Sequence, residues 1–287
     1  MTTSAKACLD QLYLDYNFQE RMRHDPIELV HNYKDPRDIE VAGLIVAALS
    51  YGKVSLFKPV AERILKIMGD SPAEYISSLR IESVRKKFFM AGIRYRFSRE
   101  DDILAFLLAL SRAFLRFGSL KALFFAGLSE KDDDAGSAIG MAIQKLRQTD
   151  LTDVYGEDIK PPGFLHMLPT PASGGACKRM ALYLRWMVRD RDIDFGVWKE
   201  MGAQRLVIPL DTHIARISRC LGLTSRKSRD WKMAIEITKS LKKFSPVDPL
   251  KYDFALCHHG ISGLCPSRPD SGSCLNCVLS SIAQQSG

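Results

Sequence analysis

Between Ile39 and Tyr51 the chain is apolar nearly all round: Val41, Ala42, Leu44, Ile45, Val46, Ala47, Ala48 and Leu49 leave no polar stripe for a helix to turn toward water. A helix that is apolar on every side has to be covered on every side, so this stretch predicts a central core helix with other elements packed around it. Asp35-Pro36-Arg37-Asp38 reads as its start, with proline ahead of an acidic first turn, and Gly52 as its stop. The longest uncharged apolar run, Val41 to Tyr51, is too short to span a bilayer.

The rest of the chain supplies the cover. Leu56, Val60, Ile64 and Leu65 recur at helical spacing from Val54 to Met68, and Gly69 closes that segment. Pro72 to Leu79 is a short amphipathic piece, Asp101 to Phe117 a long helix, and Ala138 to Leu146 another helix-like segment beyond the charged break at Ser129 to Gly136. Strand-type alternation never persists beyond a few residues. The expected class is all-α. Phe88, Phe89, Tyr95 and Phe97, interleaved with Arg94 and Arg96, make an aromatic cluster that suits a core edge or a base-stacking surface.

Apolar residues make up 46% of the 287, which places the chain among folded proteins. The formal net charge is +8. Residues 151–287 carry 19 Lys and Arg against 13 Asp and Glu, and residues 1–150 carry 22 against 20. An excess of positive charge in one half suits a polyanion such as DNA, although a solvated basic surface has the same composition. The first residues show no basic-then-apolar secretion signal, so a cytoplasmic location is expected.

Two motifs carry the chemistry. Ser173-Gly174-Gly175-Ala176-Cys177-Lys178-Arg179 is a glycine turn opening a helix, where backbone N–H groups can meet a phosphate. Lys178, in the first turn, is a candidate amine nucleophile, and a phosphate-contacting lysine is the simpler reading. Pro209 ends the segment before the second motif, and Asp211 stands where a helix N-cap belongs, ahead of Ile214, Ala215, Ile217 and Leu221. A capping aspartate needs no catalytic role, yet at the mouth of a groove its carboxylate can also stabilise a developing positive charge.

Leu210-Asp211-Thr212-His213-Ile214-Ala215-Arg216-Ile217, with Leu221-Gly222-Leu223, resembles the catalytic-aspartate segment of the helix-hairpin-helix DNA glycosylases, which include endonuclease III. Gly174 to Arg179 resembles their hairpin turn, where the strand-nicking members carry a catalytic lysine. The Lys178–Asp211 separation is closer to that of the archaeal 8-oxoguanine glycosylase branch. The run Ala176 to Val188, with Asp248 to Leu256, also resembles a bacterial conserved family of unassigned function.

The glycosylase resemblance implies a two-lobed helical fold. Residues 1–150 would supply core helices and one groove wall, 151–260 the helix-hairpin-helix catalytic region, and 261–287 a cysteine-containing C-terminal loop. It implies base excision from damaged double-stranded DNA, oxidised purines first, by a monomeric, nucleoid-associated enzyme with AP lyase activity. Lys178 and Asp211 are then the catalytic pair, and Gly174, Gly175, Arg179 and His213 the DNA contacts. A non-catalytic nucleic-acid-binding module on the same scaffold is the alternative. A metal-stapled helical interaction protein is a third reading.

Four of the seven cysteines, Cys257, Cys265, Cys274 and Cys277, lie near the end of the chain. Clustered cysteines without a secretion signal point to metal before disulfides. Endonuclease III closes with a four-cysteine loop around a [4Fe–4S] cluster. Here Cys274 and Cys277 keep its two-residue gap, the gap before them is wider, and Ala283 stands where the last cysteine is expected. Cys257, His258 or His259 would complete the set, for iron–sulfur or for zinc.

Overall fold

In the computed structural model, the described residues are 2–263 together with 265, 277 and 279. The fold is all-α. Among the described residues there is no β-strand, only an isolated bridge between Tyr95 and Ser98. Helices α1 (Thr2–Leu14) and α2 (Phe18–Met22) lead to a 3-10 helix, Pro26–Asn32. Then come α3 (Pro36–Leu49), α4 (Val54–Met68), α5 (Pro72–Ser77), α6 (Ile81–Ala91) and α7 (Glu100–Phe117). α8 (Leu120–Phe125), α9 (Gly136–Arg147), α10 (Thr152–Tyr155) and α11 (Pro162–Met167) follow. The last four are α12 (Lys178–Val188), α13 (Thr212–Cys220), α14 (Trp231–Lys242) and α15 (Asp253–Ile261). No helix among the described residues is long and apolar enough to cross a membrane.

The apolar run does form the hub. Asp35 caps α3 by accepting from Arg37 N at 2.7 Å, Pro36 fills the first turn, and every residue from Asp38 to Leu49 is buried. The 3-10 helix, α4, α5, α8 and α12 all pack on it. Its closest partner is α12. A Cβ built on Gly43 would stand 2.9 Å from Met187 Cε and 3.3 Å from Tyr183, so any larger residue would have to push the Met187 methyl and the Tyr183 ring aside. Tyr183 donates from its hydroxyl to the Glu40 carbonyl at 3.1 Å. Tyr183 and Trp186 are fully buried, which makes them core residues. The helix that begins at Lys178 is thereby locked to the centre of the molecule.

A second helical layer forms around α7, whose buried face meets α5, α6, α8, α9, α10 and α11. The aromatic cluster divides here: Phe88 and Tyr95 are buried, whereas Phe89 and Phe97 stand in solvent. α1 is tied to segments far along the chain. Asp10 of α1 meets Lys251 Nζ at 2.6 Å and the Tyr252 hydroxyl at 2.8 Å, and Tyr13 donates to Asp192 at 2.7 Å. α13 lies against α15, where a Cβ on Gly260 would come within 2.8 Å of His213 Cβ. One hydrophobic core runs through all of these helices.

Candidate functional site

The Lys178 segment is a helix–turn–helix in the plain geometric sense. α11 ends at Met167, a short 3-10 turn covers Pro171–Ser173, and Gly174 takes φ +78° before α12 starts. Gly174 and Gly175 are exposed, with open space where side chains would be. Cys177 is a non-glycine residue in the left-handed region, at φ 51°. It is held there by burial and by its thiol, which donates to the Pro169 carbonyl at 3.3 Å. Burial pushes that thiol up to about 12, so it stays protonated and serves the turn.

Within α12 every residue from Arg179 to Val188 is buried, and Lys178 alone escapes, with 38% of its side chain exposed. Its amine reaches toward Asp211. Asp211, in extended backbone after Pro209, caps α13 as its sequence suggests: Oδ1 accepts from His213 N at 2.9 Å and Ile214 N at 2.8 Å. Oδ2 is left over. It lies 3.6 Å from Lys178 Nζ and accepts from the Cys257 thiol at 3.5 Å. One oxygen fixes the carboxylate to its helix while the other faces the amine. The two residues that the sequence singled out are therefore brought together.

They share a narrow cleft of about 100 Å³. One wall comes from Ser50 and Gly52 at the end of α3, another from Asp25 and Pro26 at the start of the 3-10 helix. The third is one face of α15: Asp253, Phe254, Cys257, His258 and Ile261, spaced three and four residues apart as a helix face requires. Behind the cleft lies a buried ion network. Arg185 pairs with Asp253 at 2.7 Å and Asp194 at 3.2 Å, and Arg189 with Asp194 and with Asp248 at 2.9 Å. Burial pushes the Asp253 and Asp194 carboxyls up, and the paired arginines pull against it. The Cys257 thiol is driven well up by burial, then by Asp211 and Asp253, so it meets Asp211 as a neutral donor.

One expectation needs correction. Arg179 is not on a DNA face. It is buried, donates to the Ala48 carbonyl at 2.8 Å and to the His166 carbonyl, and stacks over Tyr51 at 5.1 Å. Burial pulls its guanidinium down to about 10, still charged at neutral pH, and its donors are spent on closing the core. His213 is half-buried in the α13–α15 contact, with Nδ1 buried and without a hydrogen-bond partner among the described residues. Cys257 faces Asp211, Cys277 Sγ lies 3.6 Å from His259 Nε2, and Cys274 is outside the described residues. Among the described residues no three His, Cys, Asp or Glu side chains converge as a metal site.

Asp25 and His258 are cleft residues that the sequence reading did not place there. Their nearest signals were ordinary: Asp25-Pro26 reads as a helix start, and His258 sits beside a cysteine already assigned to metal.

A family model described as "Protein of unknown function (DUF2400)" matches residues 25–262, a stretch that contains every residue named in the cleft. No curated protein and no solved structure matches the chain.

Proposed function

Because the chain belongs to the DUF2400 family, a family of unknown function, its activity has to be argued from the cleft, and we propose that it is a base-excision DNA glycosylase with AP lyase activity on the helix-hairpin-helix plan. The observation that carries this reading is the 3.6 Å approach of Lys178 Nζ to Asp211 Oδ2 at a shared cleft. An amine held by a carboxylate fits a reaction in which a nitrogen nucleophile attacks while positive charge develops beside it.

The steps follow from that pair. The damaged nucleotide leaves the base stack, because its glycosidic carbon is out of reach inside the duplex. The unprotonated Lys178 amine attacks C1′. The C1′–N bond breaks, its electron pair departs with the base, and the base takes up a proton. The new nitrogen gives a proton to Asp211 Oδ2, its lone pair forms the C=N bond as the C1′–O4′ bond breaks with its pair going to O4′, Asp211 returns the proton to O4′, and a Schiff base joins Lys178 to C1′. Asp211 offsets the positive charge on sugar and nitrogen throughout. The chemistry draws on these two side chains and asks for no cofactor.

The surroundings suit a DNA backbone. The exposed Gly174-Gly175 turn offers backbone N–H groups next to the nucleophile's helix. Phe97 is 61% exposed, with Arg96 above its ring at 5.4 Å and the Tyr51 and His166 rings behind it. That aromatic stands next to the cleft wall at Ser50 and Gly52 and presents a stacking face for a base. The substrate is damaged duplex DNA, with oxidised purines as the first class to test, acted on by a monomer in the nucleoid.

The test is a panel of duplex oligonucleotides, each holding one lesion, incubated with the protein and borohydride. At least one should yield a covalent adduct and a nicked strand. Lys178→Gln should yield neither. An adduct that persists in Lys178→Gln removes Lys178 as nucleophile, and binding without release or adduct on any lesion removes the enzyme reading.

A further inference from the structure

A lyase needs a second proton transfer that Lys178 and Asp211 do not supply. Once the Schiff base stands, the C2′ proton must go to a base before the strand can break. Asp211 already accepts from two backbone N–H groups and a thiol and faces the amine. Another acceptor lies in the same cleft. His258 Nε2 is 3.7 Å from Asp25 Oδ2, with 12% and 18% of the two side chains exposed. Both residues line the cleft of about 100 Å³ that Lys178 and Asp211 line, so a sugar held on Lys178 would occupy space that the imidazole also borders.

The pair is built in the same way as Asp211. Asp25 uses Oδ1 to cap the 3-10 helix, accepting from Ile27 N at 3.0 Å, and has Oδ2 free for the histidine. The His258 ring is buttressed by Phe254 at 4.2 Å and by Tyr16 at 6.1 Å, which restricts its rotation. A carboxylate behind an imidazole, with the imidazole facing a reactive space, is the arrangement that orients a histidine for proton transfer.

We propose that His258 is the catalytic base of the strand-breaking step and that Asp25 is its positioning residue. The proposal rests on the glycosylase and lyase reading above. The C2′–H bond breaks and its proton passes to the imidazole. The bonding pair moves into the C1′–C2′ bond, and the iminium pair returns to the Lys178 nitrogen as an enamine. The enamine then pushes its electrons toward C3′, the C3′–O bond breaks, and the phosphate leaves with that pair. The proton on His258 passes to solvent once the cleaved strand has left.

The experiment uses the full chain and a duplex oligonucleotide carrying one pre-formed abasic site, so that no lesion has to be known. Borohydride trapping reports the Schiff base and gel mobility reports the nick. His258→Gln should trap as the native protein does and nick more slowly by a factor on the order of 10². Asp25→Asn, which keeps the cap, should trap normally and nick about tenfold more slowly, since it acts only through the imidazole. A purely structural role would lower trapping and nicking together, so the trap-to-nick ratio separates the two. Native nicking by His258→Gln overturns the proposal, and so does a parallel loss of trapping and nicking. If the native protein itself neither traps nor nicks, the lyase reading fails first and takes this inference with it.

Discussion

Asp211 has two oxygens with two jobs, and substitutions can take them away separately. Asp211→Asn keeps an oxygen for His213 N and Ile214 N, so the helix cap survives, but it removes the charge facing Lys178. Asparagine and aspartate cap helices about equally well, so the change in stability should stay within about 0.5 kcal/mol. Asp211→Ala removes cap and charge together and should cost about 1 kcal/mol of stability. The electrostatic part follows from the 3.6 Å separation. Opposite unit charges about 4 Å apart attract by roughly 1 kcal/mol in bulk water and by about 4 kcal/mol at an effective dielectric near 20. Lys178 is 38% exposed in the free protein, so solvent screening holds the pair near the lower figure. On the proposed reading, bound DNA would exclude that water and move the interaction toward the upper figure. At about 1.4 kcal/mol per decade, Schiff-base formation in Asp211→Asn should slow by between about fivefold and about 10³-fold. The assay is single-turnover borohydride trapping on an abasic duplex, beside a urea melt of each variant. If Asp211→Asn traps at the native rate while Asp211→Ala melts early, Asp211 is a helix cap and nothing more, and the catalytic argument is refuted.

Arg179→Met leaves the Ala48 and His166 carbonyls without donors in the core, so a urea melt should show a loss of about 3 kcal/mol. The salt slope of DNA binding by the folded protein should not move, and a reduced slope would return Arg179 to the DNA face. Cys257, half-buried and with its thiol pushed well up, should be alkylated at pH 8 far more slowly than after denaturant is added, which peptide mapping after iodoacetamide reads directly; equally fast modification would show that its thiol is not committed to Asp211. Burial tends to raise Asp10, but hydrogen bonds from Lys251, Lys6 and Tyr252 outweigh it and hold the carboxyl below its ordinary 3.8. Its contribution is therefore present above that value and lost as pH falls beneath it, so Asp10→Asn should lower Tm at pH 7 and match the native protein increasingly as the medium is acidified through and below about 4. A Tm difference that persists unchanged into acid would mean that packing, not charge, ties α1 to residues 251–252.

Local signals found what local physics encodes. The all-round apolar run gave α3, period-3.6 patterns gave α4 and α7, and a cap and a glycine turn pointed to Asp211 and Lys178. The Lys178–Arg179 error has the same origin. Neighbours on a helix point about 100° apart, so a basic dipeptide cannot place both charges on one face; one met the cleft and the other the core. Asp25 and His258 were invisible because nothing along the chain records that α15 and the 3-10 helix meet at the end of α3. Cys257 shows a related limit. Cys257 belongs to a helix face shared with Phe254 and His258, and its nearness in sequence to Cys265 says nothing about which way that face looks.

The cleft takes one wall from Asp25 and another from His258, and α1 is fastened to Lys251 and Tyr252. During synthesis the early helices can condense around α3 while the ribosome is still working, but the reactive chamber stays open-sided until almost the last turn of α15 has cleared the exit tunnel. A nascent or prematurely terminated polypeptide would carry Lys178 and Asp211 without the wall that faces them, so the cleft proposed to nick DNA would be assembled only once α15 has folded.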